Sequence, residues 1–339
     1  MPAAILSSVR SISVWCRRKH HEDRVVRILV VGGQGFIGQA LVARLRGGAS
    51  IDGRAASLIT VLDQRIADRI DDARLRYVEA DISERSALER SIEGGVDCVF
   101  HLASVPGGAA ERDFELGMKV NLHSTLGLLE ALRLAGGTPK LVFASSIGVY
   151  GVPMPGVIDE QTIPLPTLSY GAQKLIGEYL VADYGRRGLV DGRSVRIPGI
   201  VARPPSKGML SLFLSDLIRE LSAGREFVCP VGPEGMSWFM SRPRIVDNLM
   251  HAAQLGAPQI AAQRTWLLPV LHVSIASVVA AIARRHGSEV LRRVSYRPDR
   301  ALQAQFASYP PLLCPRSEAA GFRHDGSVDE LVTRALEPI

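Results

Sequence analysis

The sequence predicts an α/β chain built on a doubly wound parallel sheet, with a smaller C-terminal α/β substrate lobe. Three observations carry this. Short apolar runs alternate with helix-period stretches from residue 26 to about 200. These runs are apolar on both faces, as strands covered by helices on both sides must be. The first run ends in a glycine-rich turn that opens a helical pattern, the strand–helix order from which right-handed crossovers wind such a sheet.

Taken in order, Ile28 to Val31 is the first strand and its helix continues through Leu45. Ser57 to Leu62 is the second strand, ending in Asp63, and Leu75 to Ala80 the third, ending in Asp81. Val96 to Leu102 is the fourth. Residues 111–135 read as one long helix, with apolar Leu122, Leu126, Leu129 and Leu132. Lys140 to Ala144 is the fifth strand, followed by Ser145 and Ser146. Past residue 200, Pro and Gly cluster at 198–208 and 229–235. Helices are expected near 209–222, 243–255 and 274–285, with a strand at Thr265 to Leu268. The division is a basic tail over 1–24, a cofactor domain over 25–200, and a lobe over 201–339 interleaved with the last sheet strands.

Composition narrows the function. The 339 residues are 47% hydrophobic and 22% charged, a globular balance. The longest clean apolar run, Ser274 to Ala283, is too short to cross a bilayer. Cys16, Cys98, Cys229 and Cys314 are scattered, with no CxxC pair, so a disulfide framework or zinc knuckle is not expected and a reducing cytoplasm fits. No HExxH occurs, and no metal site is read. The net charge of +6 suggests nucleic acid only until it is located. Arg10, Arg17, Arg18, Lys19 and Arg24 against Glu22 and Asp23 put +3 of it in the first 24 residues, and no aromatic-interleaved basic stripe appears. That segment reads as a dispensable disordered tail, an organellar transit peptide, or residues ahead of a later natural start.

Gly32, Gly35 and Gly38 form GxxGxxG between a strand and a helix. So tight a turn needs residues without Cβ, and lets backbone approach a pyrophosphate at the helix N-terminus. Asp63, 25 residues after Gly38, is placed to accept hydrogen bonds from the adenosine ribose and to repel a 2′-phosphate, which favours NAD over NADP. Asp81 could reach the adenine edge or simply cap a helix or turn.

Tyr170-Gly-Ala-Gln-Lys174 puts a phenol and an ammonium on one helix face. A neighbouring cation lowers a tyrosine pKa from its usual value of about 10. Tyr170 can then take a proton from a substrate hydroxyl as hydride leaves its carbon. Lys174 can reach the nicotinamide ribose, and Ser145-Ser146, ending the fifth strand, offers a serine that can hold the substrate oxygen.

These residues, with His101-Leu-Ala103 and Val149-Tyr150-Gly151, appear in the order that characterises extended short-chain dehydrogenases/reductases, which the chain resembles over residues 27–200. The resemblance implies a Rossmann fold, NAD as cofactor, and Ser146, Tyr170 and Lys174 as catalytic residues. It also implies cofactor contacts from Phe36, Ile37, Ile82, Leu102, Ala103 and Pro198, with Asn121 supporting the site. Family members commonly pair as homodimers through helices matching 111–135 and 168–186.

A narrower resemblance, to the D-erythronate dehydrogenase subgroup, rests on Phe114-Glu-Leu-Gly117, the 182–192 stretch, Arg203-Pro204, Ile218-Arg-Glu220, Trp238, Ser241 and Pro243. It implies NAD-dependent oxidation of the C2 hydroxyl of a small sugar acid to the 2-oxo acid. The chain departs from the subgroup at Pro198-Gly199 and at Pro205 to Leu210, where specificity is set. A sugar acid needs a cation or amides for its carboxylate. Arg203, Lys207 and Arg242 are candidates, and Ser104, Gly107 and Gly108 could supply backbone N–H groups. Trp238 either covers the pocket or packs the lobe. The competing expectation is a nucleotide-sugar epimerase or dehydratase using tightly bound NAD. Neither reading involves nucleic acid or membrane.

Overall fold

The structure, a computed structural model, describes residues 26–205 and 209–338. The expected N-terminal tail and Lys207 lie outside the described residues.

The main sheet has eight strands. They are β1 (Val26–Val31), β2 (Ser50–Ile51), β3 (Arg54–Asp63), β4 (Leu75–Glu79), β5 (Cys98–His101), β6 (Lys140–Ser146), β7 (Asp191–Ile197) and β8 (Thr265–Leu267). From one edge the order runs β8, β7, β6, β5, β1, β3 and β4, all parallel. The short β2 pairs antiparallel with the start of β3, a hairpin the apolar pattern does not announce because Asp52 and Gly53 separate only two-residue partners. The order reverses beside β1, so the C-terminal ends of β1 and β5 open a crevice of the kind that holds ligands in doubly wound sheets.

β1 shows why the sheet is buried on both sides. Ile28 and Val30 point into one apolar layer with Leu41, Val42 and Leu45 of helix α1 (Phe36–Arg46). Leu29 and Val31 point into the other, with Leu88 of α2 (Arg85–Ser91) and Phe143 of β6. Each such side chain, fully buried, stabilises by about 1.5–3 kcal/mol.

The helix expected over 111–135 is broken. It comprises α3 (Gly107–Arg112), α4 (Phe114–Gly117), a π-helical turn (Met118–His123) and α5 (Ser124–Ala135). Asp113 interrupts it by leaving helical angles and accepting the N–H of Leu116. The expected helix at 168–186 is α6 (Ser169–Arg186).

Past residue 200 the chain serves two cores. Strand β8 joins the main sheet, and α8 (Arg242–Gln254) packs Ile245, Val246 and Leu249 into the layer of α1. Helices α7 (Phe213–Ser222), α9 (Ile275–His286) and α10 (Val328–Ala335) build a separate core from Leu217, Ile218, Val278, Ile282, Leu331 and Val332. A small sheet of Gly199–Ile200, Met236–Met240 and Leu271–Ser274 lies between lobe and crevice. Among the described residues, no helix is long and apolar enough to cross a membrane, and no cluster of His, Cys, Asp and Glu is arranged to hold a metal. Cys98, Cys229 and Cys314 are buried free thiols.

Candidate active site

The glycine turn between β1 and α1 is sterically forced. Gly32 has φ +82°, and a Cβ there would lie 2.6 Å from the backbone nitrogen of Ala103. A Cβ on Gly38 would enter the carbonyl of Gly32 and approach the Cα of Gly33 to 2.7 Å. Helix α1 therefore starts close against β1 and β5. Its first turn has no side-chain cap and no acid, so its N–H groups are available to an anion. Asp63, at the end of β3, accepts the backbone N–H of Gln34 at 2.9 Å. Burial pushes its carboxyl up, against backbone N–H groups of Gln34, Gln64 and Arg65 that hold it down. A bare helix N-terminus, a turn that excludes Cβ and an acid at the loop's side fit a dinucleotide with a free ribose diol.

A cavity of about 420 Å³ extends from this loop to the C-terminal lobe. Gly32, Gly35, Phe36, Ile37, Gly38, Leu102 and Pro198 line its cofactor end. Ser104, Gly107, Gly108, Ser146, Tyr170, Lys174, Arg203 and Trp238 also line it, so the structure brings most of the sequence-predicted site together. Ser146 closes β6, and its Oγ accepts the N–H of Gly148 at 3.0 Å, fixing the following 3-10 turn, Ile147–Tyr150.

Tyr170 is within hydrogen-bonding reach of Ser146 and Ser104. Burial pushes its phenol up, while those hydrogen bonds and the charge of Arg203 pull it down. Lys174 Nζ lies 5.7 Å from the Tyr170 ring centroid and 4.9 Å from that of Phe143. Burial lowers this ammonium to about 7, opposed by Glu178. Lys174 thus stands beside the phenol as expected from the helix spacing, and Arg203, which the spacing does not announce, is a further cation that favours the phenolate.

Behind the cavity wall a charged network is buried. Glu178, one turn beyond Lys174, accepts from Arg196 Nε at 2.9 Å and Nη2 at 2.7 Å, and from the Ser145 hydroxyl. Arg196 Nη1 also donates to the Tyr150 hydroxyl at 2.8 Å. Asn121, in the π-helical turn, accepts from Val105 N at 2.8 Å and donates to Val105 O at 3.1 Å and to Gln173 Oε1 at 2.7 Å. It ties the loop carrying Ser104 to the helix carrying Tyr170, and the extra residue of the π turn directs it there.

Other expected residues lie apart from the cavity. Asp81 accepts the N–H of Ser83 and pairs with Lys119 at 2.8 Å, a turn-anchoring role, and Ile82 is core. Ala103 lies under Gly32. Arg242 donates to the Glu337 carbonyl at 2.7 Å and stands over the Phe36 ring. Trp238, by contrast, belongs to the cavity wall: it is fully buried, its Nε1 donates to Pro310 O at 2.8 Å, and its ring is tilted against that of Tyr309 at 4.6 Å between centroids. Sequence reasoning missed Tyr309, Phe306 and Met209, which line the cavity from the lobe and carry no motif. It also missed Glu178, which the four-residue spacing Tyr170, Lys174, Glu178 could have revealed.

Comparison with known proteins places these observations. Residues 28–238 match the NAD dependent epimerase/dehydratase family. The chain is 38% identical over 318 residues to the D-erythronate dehydrogenase of Cupriavidus necator, covering 92% of this chain and 98% of that protein. It is 31% identical to the D-erythronate dehydrogenase of Haemophilus influenzae, covering 92% and 99%. Among solved structures, a nucleoside-diphosphate-sugar epimerase from Agrobacterium tumefaciens is similar with a TM-score of 0.85 and 30% identity, covering 91% of this chain and 92% of that one.

Proposed function

The chain belongs to the NAD-dependent epimerase/dehydratase family, and from that premise we propose that it oxidises the C2 hydroxyl of a small sugar acid, D-erythronate or a close relative, to the 2-oxo acid. The observation that carries the reading is Arg203. It lines the same cavity as Ser146 and Tyr170, and no carboxylate pairs with it among the described residues. A half-buried cation of this kind suits a substrate carboxylate.

NAD, when bound, supplies the hydride acceptor. Gly32, Gly35, Phe36, Ile37 and Gly38 would hold its pyrophosphate, Asp63 the adenosine ribose, and Lys174 the nicotinamide ribose. Ser146 and Ser104 orient the substrate hydroxyl beside Tyr170. The phenolate oxygen of Tyr170 takes the hydroxyl proton as the C2–H bond breaks and its electron pair leaves as hydride. Arg203 favours that phenolate and fixes the carboxylate end, so C2 is presented to the cofactor side.

The test is NADH formation at 340 nm with NAD and a panel of aldonic acids. Stoichiometric NADH with D-erythronate is expected. The similar Agrobacterium epimerase favours one other reading, nucleotide-sugar isomerisation on the same scaffold. Interconversion of UDP-sugars without net NADH would replace the dehydrogenase reading by that one. The reading includes a homodimer through α5 and α6, supported by the exposed apolar side chains of Leu126, Ile176 and Tyr179 on these helices.

A further inference from the structure

We propose that Tyr309 is a specificity-determining residue: its phenol, held from the lobe, hydrogen-bonds a substrate hydroxyl beyond C2, so that the site selects polyhydroxylated acids over simple 2-hydroxy acids. The inference deepens the sugar-acid reading and rests on it.

The chain around Tyr309 is fastened residue by residue. The Met236 N–H donates to the Ala307 carbonyl at 3.0 Å, and the Tyr309 N–H donates to the Met236 carbonyl at 3.0 Å. His272 Nε2 donates to the Tyr309 carbonyl at 2.8 Å. Trp238 Nε1 donates to the Pro310 carbonyl at 2.8 Å, and the Ile158 N–H to that of Pro311 at 3.0 Å. The two prolines fix φ where the segment leaves the cavity. The Tyr309 ring lies against the fully buried Trp238, 4.6 Å between centroids. Backbone and ring are thus in place before any ligand arrives, which cuts the ordering cost of binding.

The hydroxyl is the exception. Tyr309 lines the cavity, and among the described residues its hydroxyl has no hydrogen-bond partner. Burial pushes the phenol up, with no hydrogen bond or charge to pull it down, so it is a neutral group able to donate and to accept. A tyrosine hydroxyl taken from water usually finds a partner, and leaving the bond unmade costs stability. A substrate hydroxyl supplies that partner.

The place of the phenol in the cavity says which hydroxyl. In the sugar-acid reading Arg203 takes the carboxylate, and Ser104, Ser146 and Tyr170 take the C2 hydroxyl. Tyr309 comes from the lobe. There the wall is Met209, Leu214, Phe306 and Trp238, with the hydroxyls of Ser211 and Ser215 beside the phenol. An apolar wall set with a few hydroxyls suits a short carbon chain that carries hydroxyls of its own. A site built to hydrogen-bond a hydroxyl rejects the analogue lacking it, because its own polar group is then left unpaired.

Tyr309→Phe keeps the ring on Trp238 and deletes one oxygen. The full-length variant and wild type are compared with NAD on D-erythronate and on D-2-hydroxybutanoate, which keeps the carboxylate and the C2 hydroxyl and lacks those beyond. The ratio of kcat/KM, sugar acid over simple acid, should fall about three- to tenfold, the worth of one hydrogen bond between neutral groups, and through the sugar acid alone. Where the simple acid turns over too slowly, its competitive inhibition constant takes the place of its kcat/KM. The acids missing only the C3 or only the C4 hydroxyl identify the one held, since the analogue without it should be indifferent to the substitution. NAD affinity should be unchanged by calorimetry. The melting temperature without substrate should not drop, because no bond within the protein is lost. An unchanged ratio, an equal loss toward both acids, or a loss of NAD affinity in place of the change in ratio overturns the proposal. Silence of the wild type toward every acid in the set would defeat the sugar-acid reading itself, a result distinct from turnover with an unchanged ratio.

Discussion

Arg203 lays its guanidinium 5.1 Å from the ring centroid of Phe36, so the stretch leading into the lobe rests on the first residue of the helix after the glycine turn. Arg242 stands over the same ring at 4.9 Å. Ala202, at φ +58°, turns the backbone just before Arg203, a conformation unfavourable for alanine and of the kind that collects at functional sites. The Arg203 Nε is engaged by the Ile200 carbonyl at 3.0 Å, and among the described residues its terminal nitrogens have no carboxylate. The helix that follows the glycine turn and Arg203 are thus one packed unit.

Arg203→Ala should therefore act on the acid more than on the cofactor. Loss of charge-assisted hydrogen bonds of about 1.5–3 kcal/mol corresponds to a KM for the sugar acid raised roughly ten- to hundredfold. NAD affinity, read by fluorescence titration, should change far less. Because Arg203 also favours the Tyr170 phenolate, the acidic limb of the kcat profile should move to higher pH in the variant. An unaltered KM would remove the arginine from carboxylate binding.

Tyr170→Phe keeps the ring and deletes the proton acceptor. Turnover should fall by about two to four orders of magnitude, the usual contribution of a positioned acid–base group. Calorimetric NAD binding should stay within a few-fold of wild type, since the glycine loop and Asp63 are untouched. Substantial residual turnover would mean that another group accepts the proton.

Much of this site was readable before any coordinates. Gly32, Gly38, Ser146, Tyr170 and Lys174 act through local geometry: a turn that excludes Cβ, the end of a strand, four-residue spacing on a helix. Such features are written in consecutive residues. Tyr309 and Phe306 reach the cavity only because the chain returns more than a hundred residues after Tyr170, and nothing in their neighbours marks that return. The influence of Arg203 on the phenol has the same origin. Sequence spacing measures distance along one helix, whereas charge acts across space and is weakened by burial. The break at Asp113 was missed because the leucine periodicity continues past it.

Asp63→Ala should relax cofactor choice. With the carboxylate gone, nothing at that point repels a 2′-phosphate, and the ribose diol loses its acceptor. The ratio of kcat/KM for NAD over NADP should fall at least about tenfold, by the loss of one or two hydrogen bonds to a charged group. Because Asp63 also accepts the Gln34 N–H, a few-fold loss of affinity for both cofactors is expected alongside. Steady-state kinetics with each cofactor checks this, and an unchanged ratio would exclude the ribose role.

Lys174→Met should stabilise the cofactor-free protein, and more so at low pH. The folded-state pKa of Lys174 is lowered to about 7, against about 10.4 for an unfolded lysine. Between these values the unfolded chain binds the proton and the folded chain does not, so wild-type stability gains with rising pH across that window. Below pH 7 the folded protein bears the full cost of a buried ammonium. Methionine has a similar length and no charge, and abolishes this pH dependence. Thermal melts at pH 6 and pH 10 should therefore show the variant exceeding wild type by several degrees at pH 6, with the gap closing toward pH 10. A gap that is constant with pH would show that Lys174 keeps its proton throughout the window.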